Sequence, residues 1–479
     1  MLIGREYEQM RLKEAYSSKR PEFVAVYGRR RVGKTYLIRR MFDGQFFFRH
    51  TGKAKTGMRG QLDAFRDSLV EAGLKDCPPL KKWKTAFAEL RRLIATGGRG
   101  RKVVFIDELP WLDTPRSGFV PEFEYFWNDW ASARDDVMLI VCGSATSWIV
   151  SQIVKNKGGL HNRLTMQLSL QPFTLAECEL YARSCGLEFS RRDLAELYMV
   201  FGGVPYYWSL VRKGQSVGKV IDSLLFAPGG ELELEFDQLY ASLFSTPGSY
   251  LKIVEALGKV KRGLTREELV RETELTNNGI LTRYLRELEQ CGFIRKYTVF
   301  GNKSKGALYQ LVDAYSLFYF RFVQANRRHD PRFWTNSIGT PLHSTWAGLA
   351  FERLSLCHLE QIKMALGISG VQASAAAWRH YGDAENPEGA QIDLLIDRAD
   401  HLINLCEMRY CENAYPITEA RRVELLNRRG IFVAVTGTKR TVHLTMVTTC
   451  GLKKGPNTGI VQSEVSLDDL FAPNRDFRL

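Results

Sequence analysis

Apolar runs that end in charge or glycine divide the first 170 residues into short segments. Glu22-Phe-Val-Ala-Val-Tyr27, Lys102-Val-Val-Phe-Ile-Asp107 and Val137-Met-Leu-Ile-Val-Cys142 are nearly continuous in apolar residues. Strands buried on both faces of a parallel sheet read this way. Gly44-Gln-Phe-Phe-Phe-Arg49 and the alternating stretch from Leu164 to Leu170 predict two more strands. Between them Tyr7 to Tyr16, Tyr36 to Phe42 and parts of Lys53 to Trp83 have helical spacing. Strands that alternate with helices predict an α/β fold with a parallel sheet.

Beyond Gln171 the pattern becomes helical. Thr174 to Cys185 and Arg191 to Val200 are the clearest helices, and Phe201-Gly202-Gly203-Val204-Pro205 interrupts them as a fixed turn. The segment to about Phe244 is expected to be a helical lid over the first domain. Ser249 to Val260 is amphipathic, and Thr265-Arg-Glu-Glu268 is a capping box that opens a second helix. Thr276 is expected to cap a third, with Ile280, Leu281, Tyr284, Leu285 and Leu288 on its buried face and Gly292 ending it. Two strands follow, Phe293 to Phe300 and Ala307 to Val312, joined by Gly301-Asn-Lys-Ser-Lys-Gly306. Three helices and a basic-tipped hairpin predict a winged helix-turn-helix. Its third helix would enter the DNA major groove and its wing would touch phosphate, with Arg283, Arg286, Lys303 and Lys305 as contacts. Glu287 and Glu289 on the same helix would repel phosphate, and such modules also serve as protein interfaces. The expected division is therefore 1–170 sheet core, 171–246 lid, 247–313 winged helix, 314–345 connecting helices and 346–479 a second, smaller α/β unit.

Length and charge agree with several domains and an anionic partner. The chain has 479 residues, and 67 Lys plus Arg against 53 Asp plus Glu leave a net charge of +14. That excess makes duplex DNA the first partner to consider. Nine cysteines are scattered without a C-x-x-C pair or zinc spacing, which suggests a reducing compartment. Neither a signal-like apolar block nor a long uncharged span is seen, so the expectation is a cytoplasmic protein without membrane contact.

The chemistry begins directly after the first strand. Gly28-Arg29-Arg30-Arg31-Val32-Gly33-Lys34-Thr35 fits G-x-x-x-x-G-K-[ST], between a strand and a helix as a phosphate-binding loop requires. Backbone N–H groups and the positive helix end would wrap the phosphates, with Gly28 and Gly33 letting the backbone approach. Lys34 would reach the β- and γ-phosphates, and Thr35 would place its hydroxyl on Mg²⁺. The strand ending in Asp107-Glu108-Leu109-Pro110 puts two carboxylates where ligands sit in open α/β sheets. Asp107 would hold Mg²⁺ through its water shell, and Glu108 would orient and deprotonate the attacking water. Ser144, after the next strand, would lie beside Asp107 and sense the γ-phosphate, or simply cap a helix. Arg163 is either a surface arginine or a stabiliser of transition-state charge, acting within its chain or across a subunit boundary in a homo-oligomer.

Gly4-Arg5-Glu6, the Tyr27–Thr35 stretch, Phe105-Ile-Asp-Glu-Leu109 and Gly202-Gly-Val-Pro205, in that order, resemble the archaeal-type ATPases, prokaryotic STAND/AAA-like P-loop ATPases. The resemblance implies ATP as the nucleotide, Gly4 and Arg5 near its base or sugar, and Pro205 closing over it from the lid. In the last unit, Glu352 on a helix, Asp393 on a strand and Glu407-Met-Arg409 on the next have the layout of a PD-(D/E)XK nuclease core. Such a nuclease-like region frequently follows these ATPases. Glu352, Asp393 and Glu407 would be the metal positions, but Arg409 stands where that pattern has lysine. Arginine cannot give up a proton near neutral pH, though it can clamp phosphate. Two functions follow as expectations. One is an Mg²⁺-dependent ATPase controlling a DNA-binding, nuclease-like C-terminal half. The other is a STAND-type switch that acts through protein assembly, with the last domain a non-cleaving scaffold.

Overall fold

The structure is a computed structural model that describes residues 2–473 apart from 145–147, 155–161, 245, 302–306, 327–329 and 385–386. The chain divides into two units, Met1–Pro172 and Phe173–Leu479.

The first unit is built on strands β1 (Glu22–Tyr27), β2 (Phe46–Thr51), β3 (Lys102–Asp107), β4 (Val137–Gly143) and β5 (Met166–Ser169). They form one parallel sheet in the order β2-β3-β4-β1-β5. Helices α1 (Glu6–Ser17), α2 (Lys34–Met41), α3 (Met58–Glu71) and α4 (Trp83–Thr96) cover it. The two-residue repeat of the strands sorts the core into two layers. Phe23, Ala25, Val104, Ile106, Leu139 and Val141 pack with Phe65 of α3 and Phe87 of α4. Val24, Val26, Val103, Phe105, Ile140 and Cys142 pack with Leu12 of α1 and Leu37 of α2. Both faces are filled, which is why the strands are apolar without alternation.

The second unit starts with α5 (Leu175–Ser184) and α6 (Arg191–Phe201), each opened by a reciprocal capping box, Thr174 with Glu177 and Ser190 with Asp193. The glycine turn after α6 has a packing cause. A Cβ on Gly203 would sit 1.8 Å from the Phe173 carbonyl oxygen, and the Phe173 N–H donates to the Gly203 carbonyl at 2.6 Å. Pro205 then opens a short helix, Pro205–Ser209.

Helices α7 (Pro247–Gly258), α8 (Arg266–Thr273) and α9 (Gly279–Gln290) precede an antiparallel ribbon of β6 (Ile294–Tyr297) and β7 (Leu308–Leu311). The Thr265–Glu268 capping box is present. The cap of α9 is Asn278 rather than Thr276: its side chain accepts from the N–H groups of Ile280 and Leu281. Leu281, Tyr284, Leu285 and Leu288 are buried at helical spacing, whereas Ile280, at the margin of that stripe in the first turn, is 50% exposed.

The last element group is a mixed sheet of β8 (Ala373–His380), β9 (Ala390–Arg398), β10 (Leu402–Arg409), β11 (Thr441–Thr448) and β12 (Ser463–Ser466), in the order β12-β11-β10-β9-β8. β8, β9 and β10 run antiparallel, whereas β10, β11 and β12 are parallel. Helix α10 (Pro341–Cys357) packs on one face through Ala350, Phe351 and Leu354. Helix α11 (Glu419–Thr436), the crossover from β10 to β11, packs on the other through Leu425 and Phe432. One hydrophobic cluster runs from Phe173 to Phe471, with Tyr315, Phe318, Phe322, Trp334 and Trp346 of the connecting segment inside it. The helical, ribbon and mixed-sheet parts of this unit thus share a core.

Candidate functional site

The loop between β1 and α2 is shaped by backbone that few side chains tolerate. Gly28 has φ 144° and Arg31 and Gly33 have φ 70° and 90°. A Cβ on Gly28 would meet the Leu170 carbonyl oxygen at 2.3 Å. Val32 is buried in the adjoining core and pins the loop, Arg29 is buried, and Arg30 is partly exposed. Lys34 is only 5% exposed, and its Nζ donates to the carbonyls of Gly28 and Arg29, both at 2.8 Å. The ammonium is thus folded over the mouth of its own loop, where phosphate oxygens could replace those carbonyls. The N-terminal segment joins the same place. Gly4 and Arg5 both have positive φ, 64° and 62°, and buried Arg5 donates from Nη2 to the Val32 carbonyl at 3.4 Å.

The acids come from the neighbouring strand. Thr35 Oγ1 donates to Asp107 Oδ2 at 2.8 Å, and Asp107 is buried at the end of β3. A hydroxyl and a carboxylate in contact beside a lysine form an oxygen donor set that suits Mg²⁺, with Thr35 and Asp107 as the residues to hold it. Glu108 is left-handed, φ 48°, and its N–H donates to Asp107 Oδ1 at 3.0 Å. Ser144 is held against Glu108 rather than Asp107: its N–H and Oγ donate to Glu108 Oε2 at 3.2 and 2.9 Å. The reason is topological, because β4 lies next to β3 and Ser144 follows its last residue. Arg163 is exposed in the same unit. Pro205 belongs to the second unit.

The candidate contacts to DNA in the second unit are partly described. Arg283 and Arg286 are exposed on α9, whereas Lys303 and Lys305 lie outside the described residues. Glu287 accepts a hydrogen bond from the Tyr250 hydroxyl, and burial, then that contact, drives the tyrosine far above its usual pKa. This acid is therefore occupied, and Glu289 remains exposed.

The three carboxylates assigned to a nuclease metal are not brought together. Lys261, from the loop after α7, bridges Glu352 at 2.8 Å and Asp393 at 3.4 Å. Burial and then repulsion from Asp393 raise the Glu352 pKa. Glu407 is instead paired with Arg409 at 2.7 Å, Arg428 at 2.8 Å and Arg421. Strand alternation explains the separation. Cys406 and Met408 pack in the cluster that holds α10, and Leu405 in the cluster that holds α11. Glu407 and Arg409 therefore face α11, on the opposite side of the sheet from the helix carrying Glu352. Among the described residues no three acids, histidines or cysteines form a group able to hold a metal. Lys261, Arg421 and Arg428 went unnoticed in the sequence, although Arg421 and Arg428 are seven apart, the spacing of one helix face.

Parts of the chain are similar to known proteins. A protein of Methanocaldococcus jannaschii, named uncharacterized protein MJECL04, is 25% identical over 337 residues, which is 68% of this chain and 70% of that one. The Walker-type ATPase paby2304 of Pyrococcus abyssi is similar with a TM-score of 0.47 and 16% identity, over 67% of this chain and 96% of that one. The Aeropyrum pernix ORC2 protein, solved as ADPNP–ADP complexes, gives a TM-score of 0.41 and 13% identity over 68% and 95%. No helix among the described residues is long and apolar enough to cross a membrane. Residues 2–211 match the family described as an ATPase domain predominantly from Archaea.

Proposed function

We propose that the protein is an Mg²⁺-dependent ATPase whose nucleotide state governs how its second unit engages duplex DNA. The observation that carries the ATPase reading is the contact of Thr35 with Asp107, 2.8 Å long, beside the buried Lys34. In this reading the backbone of Gly28–Gly33, with Arg29, Arg30, Arg31 and Val32, cradles the triphosphate, and Lys34 turns from its two carbonyls to the phosphates. Thr35 and Asp107 hold Mg²⁺. Glu108 takes the proton of the attacking water, with Ser144 fixing its carboxylate. Gly4 and Arg5 contact the base or sugar, Pro205 closes over the nucleotide, and Arg163 supplies positive charge to the transition state, in its own chain or across a homo-oligomer boundary.

The DNA half of the reading rests on α7–α9 and the β6–β7 ribbon acting as a winged helix-turn-helix. Exposed Arg283 and Arg286 would reach the duplex, and Lys303 and Lys305 at the ribbon tip would touch phosphate. The mixed sheet with α10 and α11 is read as a PD-(D/E)XK-type fold that binds without cutting.

The ion pairs of Glu407 favour a second reading, a STAND-type switch whose last domain is a non-cleaving scaffold for protein assembly. ATP turnover with Mg²⁺, measured while duplex DNA is titrated and with Glu108→Gln as the blank, separates the two. Stimulation that fades as salt rises is expected from phosphate contacts. Turnover indifferent to DNA would reject the first reading in favour of the second. Unchanged ATP affinity in Lys34→Ala would reject nucleotide binding at the loop.

A further inference from the structure

A cavity of about 240 Å³ opens within the second unit, between the β6–β7 ribbon and strands β8 and β9. Arg262, Arg295, Arg353, Arg379, Gln391 and Asp393 supply its charged and amide side chains, Gln310 apart. Part of this charge is cancelled locally. Arg262 pairs with Glu268, and Asp393 pairs with Lys261 at 3.4 Å. Glu352, next to Arg353 in sequence, is held by the same lysine at 2.8 Å.

Lys261 offsets one of these two carboxylates, and three further cations, Arg295, Arg353 and Arg379, make no ion pair of their own among the described residues. Arg295 donates from Nε to Gln310 Oε1 at 2.7 Å and lies 4.8 Å from the centre of the Tyr297 ring. Arg353 is 6% exposed, and its Nη2 reaches the Lys261 carbonyl while its Nε finds no acceptor. Arg379 is exposed, 4.5 Å from the ring centre of Tyr381, which is itself 73% exposed. Burial, then the like charge of Arg295, brings the Arg353 pKa down to about 10. A buried cation lacking an acceptor is costly, and an anion that supplies the acceptor removes both the desolvation and the repulsion.

The guanidinium forks match paired oxygens, and the three arginines less the one unbalanced carboxylate leave an excess of two positive charges, which suits a dianion better than a single carboxylate. A phosphate monoester has both properties. The cavity lies below the roughly 300 Å³ at which sites for larger ligands begin, so it has room for a phosphate and part of a sugar. The exposed ring of Tyr381 beside Arg379 is placed to stack on a base outside.

We infer that this cavity is a second phosphate site of the chain, taking the phosphate monoester of a nucleotide or of the 5′ end of a nucleic-acid strand. It stands independently of nucleotide binding at the loop before α2. The test uses the full chain with Lys34→Ala, which removes the main phosphate contact of the first site. Calorimetric titration compares inorganic phosphate, adenosine monophosphate, and an oligonucleotide bearing a 5′-phosphate with its 5′-hydroxyl counterpart, all at one ionic strength. Saturable phosphate binding is expected, weakened about tenfold by Arg295→Gln and about fivefold by Arg379→Ala, an exposed change that spares the core. A strand that binds tighter than the mononucleotide, with at least tenfold preference for its 5′-phosphate, identifies the nucleic-acid end as the source. Equal or weaker binding of the strand identifies the free nucleotide. Absence of binding at millimolar phosphate and mononucleotide would overturn the assignment, and so would affinities untouched by both substitutions.

Discussion

Ser144 offers the sharpest test of how the ATPase site works. Its N–H and hydroxyl both bind Glu108 Oε2, at 3.2 and 2.9 Å, and fix a carboxylate whose backbone is already left-handed. Ser144→Ala removes one of these two bonds. A hydrogen bond to a charged group contributes about 1.5–3 kcal/mol, and the retained N–H together with an entering water reduces the loss to about 1–1.5 kcal/mol. At 1.36 kcal/mol per factor of ten, kcat should fall about five- to tenfold. KM should hold, because Ser144 acts on the base and not on the triphosphate. Glu108→Gln should lower kcat by about 100-fold or more. Steady-state phosphate release gives both constants, and a fluorescent ATP analogue gives affinity independently. The double variant should be no slower than Glu108→Gln alone, since the serine then has no base to position. A faster Ser144→Ala enzyme would mean that the serine parks Glu108 out of reach. An additive loss in the double variant would mean that it acts elsewhere, and either result refutes the positioning role.

Gly28→Ala places a Cβ 2.3 Å from the Leu170 carbonyl at a φ of 144°, so it should abolish nucleotide binding and cost about 2–4 kcal/mol in urea unfolding. A stable variant with normal ATP affinity would contradict that geometry. Burial holds His358 down to about 4, and His50 is likewise near 4 through burial and then Lys53. Because the folded values lie below the usual 6.5, stability is full above that pH and is lost as pH falls toward 4. At pH 5 each histidine should cost about 2 kcal/mol relative to pH 7.5, and His50→Phe should flatten the acid slope of the first unit's melting. Glu407→Gln removes the carboxylate shared by Arg409, Arg421 and Arg428 and leaves the last two with Glu424. It should lower stability by about 1–3 kcal/mol in urea, and an unchanged midpoint would show that the cluster is solvated.

The parts that were legible in the sequence are those whose physics is local. The apolar strands β1, β3 and β4 read correctly because both faces of the first sheet are covered, and the loop reads because strand, glycines, lysine and helix are contiguous. The cap of α9 was misplaced by two residues, since Thr276 and Asn278 are both good caps and only the structure decides which meets the free N–H groups. Ile280 went to the wrong face for another reason: at about 100° per residue it sits at the margin of the stripe formed by Leu281, Tyr284, Leu285 and Leu288, where spacing alone does not decide burial. What lay out of reach was the pairing of distant charges. Nothing near Glu407 in the chain announces that β10 turns it toward Arg421 and Arg428, or that Lys261 from another segment settles between Glu352 and Asp393. The same long-range folding brings Arg295 and Arg353 to the cavity beside Asp393, where neither makes an ion pair of its own among the described residues. The acids read as a nuclease pattern are thus held by cations, and an excess of positive charge gathers beside the β6–β7 ribbon. If the second unit acts on nucleic acid, binding through those arginines is the chemistry its side chains are arranged to perform.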